Sequence, residues 1–285
     1  MNTTQKVIVD SVRENLADRR GFLTKMGMAS AGLGAFLATA SSADAQVTDV
    51  DILQFALNLE YLEAEFYTMA RTGKTIDQMG VGITGSGATG ATTGGKMVTF
   101  IEGSTLARSA DEIAGDERTH VTLLRGALTA AGVMPVAKPA INLNALGIGF
   151  GSQEEFIILA RAFEDVGVSA YGGAAPLITS KAYLAVAARI LAAEAEHTGS
   201  LRLHAVLYNV KVPAVDPADI VVPPAAGGKF SSLNANALSI VRTPGQVLYI
   251  VYGGQAGAKT GGFYPNGVNG TLNMADATPA PFSAT

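Results

Sequence analysis

Glu117-x-x-His120 and Glu194-x-x-His197 constrain this chain more than any other feature. On a helix, residues three apart stand one above the other on the same face. Each pair therefore presents a carboxylate and an imidazole side by side, ready to act as metal ligands. The 285-residue chain has only three histidines, His120, His197 and His204. Two such pairs arise by chance in roughly half a per cent of sequences of similar composition. A fold that uses them must bring two helices together with these faces inward.

Four long helical segments supply the frame. From Asp51 to about Thr72 there is neither Gly nor Pro, and Ile52, Phe55, Leu59, Leu62 and Phe66 belong to an apolar arc covering more than half the helix surface. Gln54, Asn58, Tyr61, Glu65 and Thr68 fill the remaining strip, which is expected to face solvent. Glu60 and Glu63 both fall inside the apolar arc, where a carboxylate must be paired, protonated or metal-bound. Thr72 to Lys96 is rich in Gly, Thr and Ser, has no periodicity, and is expected to be mobile.

The second helix is read from Ser104 to Ala131, with Glu117, His120, Val121 and Leu124 on one face and Gly132 and Pro135 as its stop. A connection of about 20 residues follows. Extended, it reaches roughly 60 Å, more than the roughly 40 Å length of such a helix. It can therefore carry the chain from one end of a bundle to the other. Ser152 and Glu155 form a capping box opening a third helix, whose broad face holds Phe163, Glu164, Gly167 and Tyr171 and which is expected to end over Gly172-Gly173 and Pro176. The fourth runs from Ser180 to about Asn209 and aligns Ile190, Glu194, His197 and Leu201. His204 continues that face and reads as a satisfied histidine near the bundle end rather than an outer partner of the site.

Composition narrows the chemistry. The net charge is -4 and no basic stretch follows the first segment, so nucleic acid is not an expected partner. Cysteine is absent, which excludes a disulfide framework, an iron–sulfur cluster and a Cys-x-x-Cys electron donor within this chain. Arg19-Arg20-Gly21-Phe22-Leu23, a weakly apolar stretch and then Ala43-Asp44-Ala45 resemble a twin-arginine export signal over residues 1–45. The apolar run is too short to span a bilayer comfortably. The mature protein is thus expected to begin at Gln46, to be periplasmic or secreted, and to keep no stable membrane anchor after cleavage. Residues 46–210 form the bundle and 211–285 a Gly- and Pro-rich arm, in which a capping box at Thr243 opens one short helix. The arm is expected to wrap over the bundle or over a neighbour, where it would make a homo-oligomer contact.

Four long helices with a long second connection describe an all-α four-helix bundle with a crossover. One Glu from the first helix, one from the third and a Glu-x-x-His from the second and fourth complete the donor set of a two-metal carboxylate site. The sequence also resembles a family. Leu57-Asn58-Leu59-Glu60 with Tyr67 looks like the first helix of ferritin-like proteins, and Glu164 followed by Tyr171 repeats the spacing. LEYLEAEFY, the two Glu-x-x-His helices and GGFYPNG resemble the ferritin-like family that includes desiccation-related proteins. The resemblance implies a ferritin-like four-helix bundle with Glu60, Glu117, His120, Glu164, Glu194 and His197 as ligands of two iron or two manganese ions. It further implies Glu117 and Glu194 as bridges, and Tyr67 and Tyr171 as hydrogen-bonding catalytic candidates behind the ligands. Glu63 shares the arc with Glu60 and stands as its replacement or supplement. Such a site suits oxidoreductase work on small oxygen species, as in peroxide disproportionation or ferroxidase-type oxidation. The alternative is a non-enzymatic stress or desiccation-tolerance protein whose metal site is structural, sequestering or vestigial.

Overall fold

The computed structural model describes residues 47–226 and 228–277. The expected export signal at 1–45 lies outside the described residues. Helix α1 (Asp49–Thr72) opens on a capping box between Thr48 and Asp51 and closes on Gly73, whose φ of 68° is the left-handed geometry that glycine adopts without strain. Serine side chains likewise cap α2 (Thr105–Ala130), α3 (Gln153–Ala174) and α4 (Lys181–Leu207), through Ser104, Ser152 and Ser180. Helix α3 runs through Gly172 and Gly173 and ends at Ala174, between those glycines and Pro176 as expected. A Cβ on Gly173 would stand 2.0 Å from the Arg242 carbonyl oxygen, so this glycine makes room for the arm.

The helices form two antiparallel hairpins. Arg71 near the end of α1 reaches Asp111 near the start of α2, and Gln54 reaches Met134 beyond the end of α2. A tight turn, Ala175–Leu177, joins α3 to α4. Tyr67 meets Ala160 while Tyr171 meets Glu60, so α1 and α3 are antiparallel across the hairpins. Helices α2 and α3 therefore run in the same direction, and the connection between them travels the length of the bundle.

That connection does not travel alone. Its β2 (Ile141–Asn142) pairs in parallel with β1 (Thr92–Thr93) of the first loop, and Ser86 bridges Val136 in the same sense. The loop expected to be mobile is thus tied along its middle by backbone bonds such as Gly90 to Lys138 and Leu143 to Thr93. The two connections and the arm cover most of the strip of α1 expected to face solvent. Asn58, Tyr61, Glu65 and Thr68 are all buried. Glu65 pairs with the buried Lys138 at 3.2 Å, and the Lys138 ammonium also donates to Gly90 and Thr92. The correction has a simple cause: what covers a helix is chosen by distant segments, not by its own pattern.

The arm wraps over the bundle. Helix α5 (Pro244–Val251) keeps the expected capping box, Thr243 with Gln246. Phe263 and Tyr264 are buried, Phe263 against Phe163 and Tyr264 donating to the Asn58 carbonyl at 2.7 Å. Buried Arg242 clamps the arm by donating to the Ser169 hydroxyl and to both oxygens of Asp216. Among the described residues no helix is long and apolar enough to cross a membrane.

Candidate metal centre

The ligand-type side chains converge midway along the bundle. The three-residue spacing sets each Glu–His pair on one helix face, and the antiparallel hairpins turn all four faces inward. Glu60, Glu117, His120 and Glu194 form one group and Glu117, Glu164, Glu194 and His197 another, with one donor atom from each residue lying within 4.8 Å of the others in its group. Glu117 and Glu194 belong to both. His120 Nδ1 lies 3.2 Å from Glu60, 3.3 Å from Glu117 and 3.5 Å from Glu194. His197 Nδ1 lies 3.0 Å from Glu164 and 3.3 Å from the other oxygen of Glu117. All six residues singled out from the sequence are brought together, and Glu60 rather than Glu63 stands in the group of the first helix. Glu63 is buried beside them without joining either group.

The two tyrosines cross between the hairpins. The Tyr171 hydroxyl of α3 donates to Glu60 of α1. Tyr67 of α1 packs in the mirror position beside Glu164 of α3, with its hydroxyl 3.4 Å from the Ala160 carbonyl. Burial and then the adjacent carboxylates hold both phenols well above their usual range, so both keep their protons. His204 sits apart, bonded to Ser200 and Thr105 near the start of α2, as a satisfied histidine should be.

Asp116 is the participant that sequence reasoning missed. It accepts from His197 Nε2 at 3.2 Å, which turns Nδ1 toward Glu164 and Glu117. Its adjacency to Glu117 is a faint signal, since neighbours on a helix point about 100° apart. Only the packing of α2 against α4 puts it behind His197.

The electrostatics are extreme for a protein interior. Burial, and then the neighbouring carboxylates, push Glu63 and Glu194 well above the usual range. Burial and the Glu60 charge push Glu117 up to about 7, against the pull of both imidazoles. Burial opposes charge on His120 and His197, but the carboxylates around them outweigh it and raise both to about 11. Burial also opposes charge on Glu60, and the His120 hydrogen bond and charge overcome it and lower that carboxyl. Glu60 Oε2, Glu117 Oε1, Glu164 Oε1 and both oxygens of Glu194 are buried and accept no directed hydrogen bond among the described residues. Orphaned oxygens of this kind cost several kcal/mol in total unless a cation meets them. Carboxylate oxygen with imidazole nitrogen, and no sulfur, is a donor set for first-row divalent ions. The residues present fit a pair of them.

Comparison with known proteins agrees with this geometry. Residues 48–206 match the family model described as ferritin-like domain. The chain is 24% identical over 277 residues to the ferritin-like catalase Nec2 of Nesocodon mauritianus, covering 79% of this chain and 84% of that protein. It is 28% identical over 200 residues to the desiccation-related protein PCC13-62 of Craterostigma plantagineum, covering 63% of this chain and 59% of that one. With its bundle, its crossover and more than half its length matched, the chain belongs to the ferritin-like domain family.

Proposed function

We propose that this protein binds a dinuclear iron or manganese centre and acts on oxygen species, by peroxide disproportionation or by ferroxidase-type oxidation. The observation that carries the reading is the sharing of Glu117 and Glu194 between two buried Glu–His groups. When bound, two such ions supply a two-electron redox couple that needs no second cofactor. Glu117 and Glu194, common to both groups, would hold the ions together with Glu60 and His120 on one side and Glu164 and His197 on the other. Tyr171 fixes the Glu60 carboxylate through its hydroxyl, and Asp116 fixes the His197 tautomer. Tyr67 and Tyr171 hold protons beside the ligands, so protons are in place for an O–O bond to be split. The catalase name of one relative supports disproportionation.

The reading includes export, supported by Arg19-Arg20 and Ala43-Asp44-Ala45, and N-terminal sequencing of protein from its own host should then begin at Gln46. The deciding experiment is metal analysis of the purified protein, with oxygen release from hydrogen peroxide and oxidation of ferrous iron assayed in parallel. About two ions per chain are expected, with both activities absent from a folded Glu117→Ala, Glu194→Ala double variant. Fully loaded, folded protein with neither reaction would overturn the enzymatic reading. It would favour a sequestering or structural centre in a tolerance protein, the role suggested by the name of the desiccation-related relative.

A further inference from the structure

A cavity of about 590 Å³ opens between α1, α3 and the arm, and its inner end stops at the candidate metal centre. A water molecule occupies about 30 Å³ in the liquid. Hydrogen peroxide is only slightly larger, so the cavity exceeds its needs by an order of magnitude. The volume falls instead within the roughly 300–1,000 Å³ typical of sites for organic ligands.

The floor is apolar, formed by buried Leu62, Leu159, Phe163, Val166 and Phe263. The mouth lies among exposed Leu146, Pro213 and Gly254. Two carboxylates line the space. Asp216 is held by Arg242, whereas Glu63 is 4% exposed and has no hydrogen-bond partner among the described residues. Glu63 sits at the inner end beside Gly167, and beyond Gly167 stands Glu194. A Cβ at Gly167 would lie 3.2 Å from Glu63 Oε1 and 2.6 Å from Glu194 Oε2. A single glycine is thus the wall between the cavity and Glu194.

We propose that this cavity binds an uncharged molecule with an apolar body and one hydroxyl-type head, and that an alkyl hydroperoxide is a substrate of the centre. The second half of the proposal rests on the function proposed above. An apolar chain fills the lining and its O–H group reaches Glu63, the one unpartnered acceptor there. A carboxylate head would meet the crowded glutamates, and an ammonium head would face two bound cations. The reaction balances with hydrogen peroxide as reductant. The O–O bond of the hydroperoxide breaks and takes two electrons from hydrogen peroxide, which leaves as dioxygen. The two protons released complete the alcohol and the water.

Binding is tested on metal-free full-length protein by calorimetry with decanol, decane and decanoate. Decanol is expected to bind best among the polar chains. Glu63→Leu should weaken decanol about tenfold, the worth of one hydrogen bond, while sparing decane. Ala162→Trp fills the cavity from α3 and Val215→Trp from the arm, so a failure of one variant to fold leaves the other. Either should abolish binding of both decanol and decane. No decanol binding, or tighter binding of decanoate, overturns the site whatever the metal content. The loaded protein is then given decyl hydroperoxide with hydrogen peroxide, and decanol and dioxygen are measured. Decomposition of hydrogen peroxide without any decanol overturns the substrate while leaving the proposed function standing. A protein that takes up no metal sinks that function and the substrate with it, and the binding arm still judges the cavity.

Discussion

Gly167→Ala separates the stability of α3 from the geometry of the ligands. The added Cβ would stand 2.6 Å from Glu194 Oε2. Carbon–oxygen contacts settle at about 3.3 Å or more, so the Glu194 carboxylate must retreat by roughly 0.7 Å. Metal–ligand distances tolerate only about 0.2 Å. In the metal-free protein Glu194 is only loosely held, by His120 Nδ1 at 3.5 Å, since neither of its oxygens accepts a hydrogen bond among the described residues. It can yield there, and alanine contributes about 0.8–1 kcal/mol of helix propensity to offset the strain. The metal-free variant should therefore melt within about 3 °C of the wild type, while its metal affinity falls about 10- to 100-fold. Chelator competition and scanning calorimetry on the same stripped samples give both numbers. Gly126→Ala on α2 and Gly199→Ala on α4 are the controls, because a Cβ at either meets nothing within 4 Å. Both should gain a little stability and bind metal as before. Wild-type affinity in Gly167→Ala would falsify the placement of Glu194 as a ligand held in place by the space at Gly167.

Three further outcomes are expected. Lys138→Met leaves the buried Glu65 carboxylate without its partner and should cost about 3–5 kcal/mol, recovered in large part by adding Glu65→Gln. Chemical denaturation measures both, and a single variant as stable as the wild type would sink the idea. The metal-free protein should lose stability as pH rises. Glu117 is raised to about 7 from an unfolded value near 4.5, and both site histidines to about 11 from near 6.5, so the folded state holds the extra protons throughout. The contribution of Glu117 is complete below pH ~4.5 and gone above ~7, and that of the histidines fades from pH ~6.5 to ~11. Melting temperatures between pH 5 and 9 should fall for stripped protein, and metal binding should release protons, measurable as a buffer-dependent heat. Asp116→Asn should weaken binding about 10- to 100-fold at one metal position and leave the other near its original affinity, as read from a titration isotherm.

The ligand set was legible because its signal is local. A Glu and a His three residues apart on a Gly- and Pro-free helix share a face whatever surrounds them, so Glu117, His120, Glu194 and His197 could be paired from spacing alone. The crossover was legible from reach, since about 20 residues suffice to travel a helix length. The burial of Asn58, Tyr61 and Glu65 was not, because their partners come from residues 136–138 and 264–269, far along the chain. The role of Gly173 was hidden for the same reason: it lies at the helix end, but the close approach of the Arg242 backbone that requires a glycine there comes from the arm. The choice between Glu60 and Glu63 lay in the rotation of α1, which both share in the apolar arc and only packing decides.

Asp116 stands just before Glu117, but the residue in the same place before Glu194 is Ala193. Only His197 therefore has a carboxylate behind its ring. The duplicated halves are twins in donor type but differ behind the ligands, and a carboxylate on the far nitrogen makes an imidazole the stronger metal donor. A first cation should settle at the His197–Glu164 end and a second at the His120–Glu60 end. The centre would then have a direction of filling, with one ion serving as anchor and the other as the exchangeable partner.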